Sequence, residues 1–259
     1  MTKPAEMQKA SRRWKRGGIR IALVPTMGAL HAGHLSLIRR AARLADRVVV
    51  SVYVNPTQFD SPADLRGYPR RFRVDAILAK KAGADLLFQP PNLYAEDAST
   101  WVEETDRSRG RCGDRRPGHF RGVATVVAKL FNLVQPDVAV FGDKDQQQCE
   151  VVERMVRDLF LPVRIVRHPV VREKDGLPLS SRNLRLSGAD RQRAGQWAAA
   201  LGRAAAAGRG KAKTRYRKLV KSIRGVRPEY LELVNGRLFA AAWIAGVRLI
   251  DHRPCGRSR

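Results

Sequence analysis

The stretch that decides the fold spans residues 19–34 and reads IRIALVPTMGALHAGH. Its first part, Ile19–Val24, is apolar enough to predict a short buried strand, and Pro25 ends that strand. Gly28 and Gly33 follow, and glycine lets a backbone approach a ligand closely. A helical pattern begins immediately afterwards. The order strand, glycine-containing turn and helix is typical of a nucleotide-binding site.

Two histidines stand one helical turn apart where this helix begins. His31 and His34 form the pattern His-x-Gly-His. The unpaired N–H groups of a helix N-terminus bind phosphate, and two imidazoles beside them add protons that can move. Four residues alone leave open an ordinary loop in which the histidines only form hydrogen bonds. The flanking strand, glycines and helix favour the nucleotide site.

Composition limits the class of protein. A chain of 259 residues can form one large domain, or one large and one small domain. Its apolar runs, such as Val48–Val50 and Asp137–Phe141, are far shorter than the roughly 20 residues that cross a bilayer, and no signal peptide is evident. Cys112, Cys149 and Cys255 are widely spaced and predict neither a disulfide framework nor a cysteine zinc site. We therefore expect a cytoplasmic protein that does not associate with membranes.

Strands alternate with helical patterns along the first 186 residues. After the first strand, four further strands are predicted at residues 47–54, 84–88, 137–141 and 163–166. Helical patterns lie at residues 35–44, 70–81, 122–134 and 146–159. This alternation predicts an α/β fold with a Rossmann-like, doubly wound parallel sheet. Ligands of such sheets bind beyond the carboxyl ends of the strands, where the strand order reverses.

A second, smaller domain is predicted from residue 187 to residue 259. The boundary lies near Leu186 to Gly188, after which two helices are expected at residues 189–206 and 213–224. Three short strands are expected at residues 229–234, 237–243 and 247–251. The first domain, residues 1–186, would bind the nucleotide, and the second would be a small α+β cap.

Six segments match, in order, the motifs of one family. They are Val24–Gly28 with the two histidines, Val54–Phe59, Arg116–Val123, Lys129–Asp137, Gly142–Asp145 with Gln147 and Gln148, and Asp175–Asn183. Together they resemble the pantoate–β-alanine ligase family of the nucleotidylyltransferase superfamily over nearly the whole chain. The resemblance implies an ATP-dependent condensation of pantoate with β-alanine to pantothenate, for coenzyme A biosynthesis. It further implies a pantoyl-adenylate intermediate, with AMP and pyrophosphate as products.

The resemblance also implies roles for individual residues. His34 would be the proton donor, His31 would bind the phosphates beside it, and Lys144 and Arg182 would complete the catalytic set. The implied ATP-binding residues are Met27, Gly28, Ala29, Leu30, His31, Ala32, Gly33, His34, Gly142, Asp143, Lys144, Asp145, Val171, Leu179, Ser180, Ser181 and Arg182. Within this set, Asp145 and the backbone at Gly142 would hold the ribose and Val171 would lie against the adenine.

These residue types suit the reaction. Attack of a carboxylate on the α-phosphorus builds negative charge, so the catalyst needs positive charge and hydrogen-bond donors in fixed positions. Gln58 and Gln148 would select pantoate, because a neutral amide can donate and accept without neutralising the attacking carboxylate. Mg²⁺ would be held mainly through the ATP phosphates, and no protein metal site is predicted. The family further implies a homodimer and a small domain that closes to exclude water.

Positive charge is the unusual property of the chain. Fifty Lys and Arg against 24 Asp and Glu give a formal net charge of +26. From Arg203 to Arg227 there are ten basic residues and no acidic one. Such a stretch fits a solvated helix face, electrostatic steering of anionic substrates, or nucleic-acid binding. We expect only weak, nonspecific nucleic-acid binding that disappears near physiological salt.

Two other functions stay open at this point. One is a different adenylate-forming or nucleotidyl-transferring enzyme of the same superfamily, which Gln58 and Gln148 argue against. The other is a nonenzymatic protein that binds polyanions. The phosphate-site residues argue against it, and they are His31, His34, Lys144 and Arg182.

Overall fold

The computed structural model describes residues 1–256 of the chain. Residues 257–259, which end the predicted second domain, lie outside the described residues. The chain divides into two compact units, Met1–Pro169 and a second unit that begins at Val170. Each unit has its own sheet.

The first unit is built on a five-stranded parallel sheet. Its strands are β1 (Ile21–Thr26), β2 (Arg47–Val52), β3 (Leu86–Phe88), β4 (Val138–Gly142) and β5 (Arg164–His168). The order across the sheet is β3-β2-β1-β4-β5, and every neighbouring pair is parallel. This is the predicted Rossmann-like, doubly wound arrangement. The centre of the sheet excludes water, since Ile21–Val24 of β1 and Val49–Val50 of β2 are fully buried.

Helices connect the strands of this sheet. They are α1 (Pro4–Arg16), α2 (Ala32–Ala42), α3 (Pro62–Arg66), α4 (Phe72–Lys81), α5 (Arg111–Arg115), α6 (His119–Val134) and α7 (Gln146–Asp158). The predicted helices are confirmed as α2, α4, α6 and α7. The sequence did not predict α1, which packs against α6 and buries only Met7 and Ser11. Its buried and half-buried positions Met7, Ala10, Ser11 and Trp14 follow helical spacing, so a local signal for this helix was present in the sequence.

The topology decides where a ligand can bind in the first unit. β1 pairs with β2 on one side and with β4 on the other, so the strand order reverses there. The connections that leave the carboxyl ends of β1 and β4 diverge and leave a crevice at this edge. Met27–His34 follow β1, and Asp143–Asp145 form a 3₁₀ turn directly after β4. The two predicted phosphate-binding motifs therefore meet at the reversal point.

The second unit contains a small antiparallel sheet and two helices. Its elements are α8 (Gly188–Ala206), α9 (Arg209–Lys221), β6 (Val226–Val234), β7 (Arg237–Ile244) and β8 (Val247–Pro254). The strands form a meander in the order β6-β7-β8, as the α+β prediction requires. Two-residue turns at Asn235–Gly236 and Ala245–Gly246 join them, with positive φ at all four residues. No helix of residues 1–256 is both long and apolar enough to cross a membrane.

The second unit begins earlier than the boundary predicted after Leu186. The segment that follows Val170 is held by side chains of the second unit. The Arg172 guanidinium donates to both carboxylate oxygens of Asp251, at 2.9 Å each. Asp175 likewise accepts from Arg191 of α8, at 2.6 and 3.1 Å. Sequence patterns gave no sign of these ion pairs, because their partners are far apart along the chain.

Candidate active site

His31 and His34 together form the N-terminal cap of α2. The Nδ1 atom of His31 accepts a hydrogen bond from the Gly33 N–H at 3.2 Å. The His31 N–H in turn donates to Nδ1 of His34 at 3.3 Å. This reciprocal arrangement is a capping box in which two imidazoles replace the usual hydroxyl and carboxylate. The ring centroids lie 4.0 Å apart, so the predicted histidine pair is a single structural unit.

Both imidazoles are held neutral. Burial and, to a smaller extent, the positive charge of Lys144 together lower the pKa of His31 from 6.5 to about 4. Burial likewise lowers the pKa of His34 to about 3, with smaller contributions from His31 and Lys144. His34 keeps some accessible surface, but the atoms packed around its ring remove most of its hydration. Neither ring is positively charged near neutral pH.

The hydrogen bonds also decide which nitrogen carries the remaining proton. In both rings Nδ1 accepts from a backbone N–H. A neutral imidazole has one N–H, so the proton lies on Nε2 of each ring. His31 and His34 therefore each offer one Nε2–H donor. This set of donors suits an anion that needs hydrogen bonds.

Lys144 brings the positive charge to this group. It lies in the 3₁₀ turn Asp143–Asp145, and its Nζ is 3.3 Å from Oδ1 of Asp145. Lys144 and Asp145 both affect the pKa of each histidine, with opposite signs. The structure thus brings four predicted residues together: His31, His34, Lys144 and Asp145.

An ion-pair network supports the turn that carries Lys144. Arg167 of β5 binds both carboxylate oxygens of Glu153 through Nε and Nη2, at 2.6 and 2.5 Å. Its Nη1 reaches Oδ1 of Asp143 at 3.5 Å. One guanidinium therefore links β5, α7 and the first residue of the turn. The predicted ATP-site residue Asp143 has a structural partner here.

The loop between β1 and α2 depends on Asp75, a residue that sequence reasoning missed. The Asp75 carboxylate, on α4, is 1% exposed and accepts from the backbone N–H groups of Ala29 and Leu30, at 3.0 and 2.8 Å. Ala29 has φ +51°, a left-handed conformation that costs energy in a non-glycine residue. At Gly28, φ is +87° and a Cβ would lie 2.9 Å from Val52. The signal was weak, since one Asp in a helical pattern normally faces water.

Gln58 lies at the end of β2, in the 3₁₀ turn Pro56–Gln58, and is 8% exposed. Its Oε1 accepts from Nδ2 of Asn55 at 3.0 Å, which fixes the amide. The Gln58 carbonyl oxygen also accepts from Arg116 at 2.8 Å. The turn sits against α6 at Gly122, where a Cβ would come within 2.5 Å of the Thr57 carbonyl oxygen. Gln58 is thus a rigid amide at the carboxyl edge of the sheet.

The two adjacent glutamines of α7 have different surroundings. Gln147 is buried, and its Nε2 lies within 3.1 Å of the carbonyl oxygens of Arg107, Arg109 and Gly110. Its Oε1 accepts from the Cys112 N–H at 3.0 Å. Gln147 therefore holds a loop in place. Gln148 is half-buried on the same helix, directly beyond the carboxyl end of β4.

The remaining predicted ATP-binding residues belong to the second unit. Val171 and Leu179 lie opposite each other in a short two-stranded loop, where the Leu179 N–H donates to the Val171 carbonyl at 3.0 Å. Ser180 caps a 3₁₀ turn, Ser181–Arg185, through a bond from the Arg182 N–H at 3.3 Å. The segment has a fixed local structure. Its role toward a nucleotide stays a prediction.

The fold defines a Rossmann-like protein, and the histidine–lysine cluster is a candidate anion-binding site at its sheet reversal point. The Pantoate-beta-alanine ligase family model matches residues 1–253. A pantothenate synthetase of Chelativorans sp. (strain BNC1) is 46% identical over 271 residues, covering 96% of this chain and 95% of the relative. Another, of Myxococcus xanthus (strain DK1622), is 47% identical over 269 residues, covering 93% of this chain and 91% of the relative.

Solved structures agree with these relatives. The crystal structure of a pantothenate synthetase from Thermus thermophilus has a TM-score of 0.90 at 40% identity, covering 98% of both chains. The pantoate-beta-alanine ligase of Francisella tularensis, complexed with beta-gamma ATP and beta-alanine, has a TM-score of 0.89 at 33% identity. That match covers 98% of this chain and 96% of the other. This chain belongs to the pantoate–β-alanine ligase family, and it is an enzyme that forms C–N bonds.

We expect acid to destabilise the protein through His31 and His34. Their folded pKa values, about 4 and about 3, lie below the unfolded value of 6.5. The unfolded chain therefore binds more protons at pH 5, and stability falls as the pH drops below 6.5. Replacing both with glutamine should reduce the loss between pH 7.5 and pH 5 by up to about 4 kcal/mol, which is about 2 kcal/mol for each histidine. Urea unfolding at the two pH values, with each protein compared with itself, measures this. An unchanged loss in the double variant would contradict the pKa assignment.

Asp75→Asn should lower the free energy of unfolding by about 1–3 kcal/mol. The amide retains only one acceptor oxygen for two buried N–H groups, so one of them loses its partner. Asp85→Asn is the matched control, because Asp85 also accepts from a backbone N–H, that of Val48 at 2.8 Å, but its side chain is 35% exposed. Water can replace that bond. Equal losses in urea unfolding of the two variants would show that Asp75 has no special role.

Proposed function

We propose that this chain joins pantoate to β-alanine with ATP, forming pantothenate through a pantoyl-adenylate and releasing AMP and pyrophosphate. The observation that carries the proposal is the cluster of His31, His34 and Lys144 at the sheet reversal point. It combines two neutral donors with one cation in a member of this family. The Francisella tularensis relative bound an ATP species and β-alanine in its crystal structure.

In the first step a pantoate carboxylate oxygen attacks the α-phosphorus of ATP, and the bond to the pyrophosphate oxygen breaks. Negative charge grows on the equatorial oxygens and on the departing pyrophosphate. Lys144 neutralises part of this charge, and the Nε2–H groups of His31 and His34 donate to phosphate oxygens. These donors are already oriented by the capping box, so little reorganisation is needed at the moment of reaction.

The neutrality of His34 refines its predicted role as proton donor. With a pKa of about 3, the His34 ring is not protonated to imidazolium at neutral pH when no substrate is bound. Full proton transfer would first require ATP to raise that pKa, since nearby negative charge favours the charged form. Hydrogen-bond donation from Nε2–H needs no such change. We propose that His34 acts on the developing phosphate charge as this donor.

Pantoate is proposed to bind near Gln58 and Gln148. The Gln58 oxygen accepts from Asn55, so its Nε2–H₂ group is directed to the other side of the amide and can donate to pantoate. Met27, Gly28, Ala29, Leu30, Ala32 and Gly33 are proposed to contact ATP together with Gly142, Asp143 and Asp145. Val171, Leu179, Ser180, Ser181 and Arg182 are also proposed ATP contacts, on the family resemblance. Arginine there can bind phosphate oxygens bidentately.

In the second step the β-alanine amine attacks the acyl carbon of the adenylate. A C–N bond forms, the bond from that carbon to the AMP oxygen breaks, and the amine loses a proton. We propose that Mg²⁺ enters on the ATP phosphates, where it neutralises charge. Protein carboxylates near the site are already engaged, Asp145 by Lys144 and Asp143 by Arg167.

Three further properties belong to the proposal. A homodimer is proposed on the family resemblance. A cytoplasmic location is proposed because Cys112, Cys149 and Cys255 are all free. Nucleic acid is proposed to bind only weakly and without sequence preference, through the basic surface of the second unit.

A coupled assay tests the reaction itself. The purified chain with Mg-ATP, pantoate and β-alanine should produce AMP in step with pantothenate, and no ADP, because attack occurs at the α-phosphorus. Omitting pantoate should stop AMP formation. Formation of ADP, or of AMP without pantoate, would favour another enzyme of the superfamily.

Substitutions separate the proposed roles. His34→Ala should lower kcat roughly 10²–10³-fold with a smaller effect on ATP binding, as expected for a hydrogen-bond donor whose interaction strengthens in the transition state. Gln58→Ala should mainly raise the KM for pantoate. His168→Ala removes an imidazole from the end of β5 and serves as the control. Full turnover in His34→Ala would refute the assignment.

A further inference from the structure

A groove in the second unit is lined by none of the residues assigned above. It runs between α9 and β6 and has a volume of about 470 Å³. Apolar side chains form most of its lining, and the argument uses Tyr216, Val220, Ile223 and Leu231. Its volume falls in the range of small-molecule sites, roughly 300–1,000 Å³.

The floor of the groove is preformed. Tyr216 and Val220 are almost completely buried, at 1% and 3% exposure. The Tyr216 hydroxyl accepts a hydrogen bond from the Trp197 indole N–H at 2.7 Å, which fixes the tyrosine ring against α8. Because these two side chains leave almost no surface exposed, the apolar floor that a ligand would touch is formed by the half-buried Ile223 and Leu231, which pack against this rigid core.

The rim of the groove is positively charged. Arg217 and Lys221 line it, are exposed and stand one turn apart on α9. Among residues 1–256, no carboxylate pairs with either of them. Glu229 also lines the groove, but its carboxylate accepts from Arg248 at 3.0 Å and from the Trp243 indole at 2.8 Å. The acid is thus neutralised by its own partners, and the rim keeps a net positive charge.

The positive charges along one face of α9 repel one another. Lys213, Arg217 and Lys221 follow one another at spacings of four residues. Like charges at that spacing destabilise a helix. The first turn of α9 also contains no acidic residue, where one would be favourable. A bound anion would relieve this repulsion, and no acidic side chain of α9 does so.

We propose that this groove binds a small amphipathic carboxylate, with its alkyl or aromatic body on the apolar floor and its carboxylate at Arg217 and Lys221. The apolar lining selects the body and the two cations select the head group. A polynucleotide fits less well, since its phosphates would leave the half-buried apolar side chains of Ile223 and Leu231 in contact with water.

Decanoate is the probe, titrated into the full chain by isothermal calorimetry. Arg217→Gln/Lys221→Gln should weaken its binding about 10-fold, which corresponds to about 1.4 kcal/mol. Lys211→Gln/Arg215→Gln removes the same charge from the same helix, outside both the groove lining and the row of Lys213, Arg217 and Lys221, and should change the affinity less than about 2-fold. Decanol, which lacks the charge, should bind wild type about as weakly as decanoate binds the groove variant.

A second variant tests the apolar half. Ile223→Trp adds bulk to the groove wall and should abolish decanoate binding, with thermal unfolding to verify that the protein is folded. The proposal is overturned if decanoate does not bind wild type, if the two charge variants lose equal affinity, or if decanol binds as well as decanoate. It is also overturned if only a labelled DNA duplex binds and the groove variant alone abolishes that binding. None of these readouts requires ligase turnover.

Discussion

The candidate site depends on one buried carboxylate. Asp75 accepts the N–H groups of Ala29 and Leu30 and so holds a left-handed residue between β1 and the two histidines. Without those bonds, two N–H groups would be buried without partners and the strained φ of Ala29 would be free to relax. Because His31 begins α2 directly afterwards, the direction of both imidazoles follows from this loop. Asp75 on α4 thus sets the direction of His31 and His34, whereas the sheet topology alone would only place them near the crevice.

The electrostatics of the cluster divide the work between different groups. Lys144 pairs with Asp145, and the positive charge of Lys144 helps to keep His31 and His34 neutral. If His31 and His34 were both protonated, their two charges and that of Lys144 would repel one another in the protein without a bound anion. One cation and two neutral donors avoid that cost and still present three groups to a phosphate chain. Arg167 supports the turn that carries Lys144, because it contacts Asp143 at the start of that turn.

Local sequence signals predicted the features that local physics decides. Apolar runs predicted all five parallel strands, and Gly28 and Gly33 marked the strand-to-helix junction at His31. The prediction that Pro25 ends the first strand was wrong, because β1 continues through Pro25 to Thr26 and both residues pair with β2. Side chains whose partners are distant in sequence were not predictable. Asp75 and the Arg172–Asp251 pair are of this kind, and Arg172 explains why the second unit begins before the predicted boundary. The helix α1 is a different case, because the helical spacing of Met7, Ala10, Ser11 and Trp14 is a local signal that was sufficient to predict it.

The adjacent residues Gln147 and Gln148 show why a motif match does not assign a role by itself. Both belong to the same matched segment, yet the Gln147 amide is fully occupied by backbone groups of residues 107–112. An amide with that many protein partners has no capacity left for a substrate. Successive residues of a helix point about 100° apart, so Gln148 cannot share these partners. Of these two residues of α7, Gln148 is therefore the candidate for binding pantoate. Gln147 keeps the neighbouring loop in place.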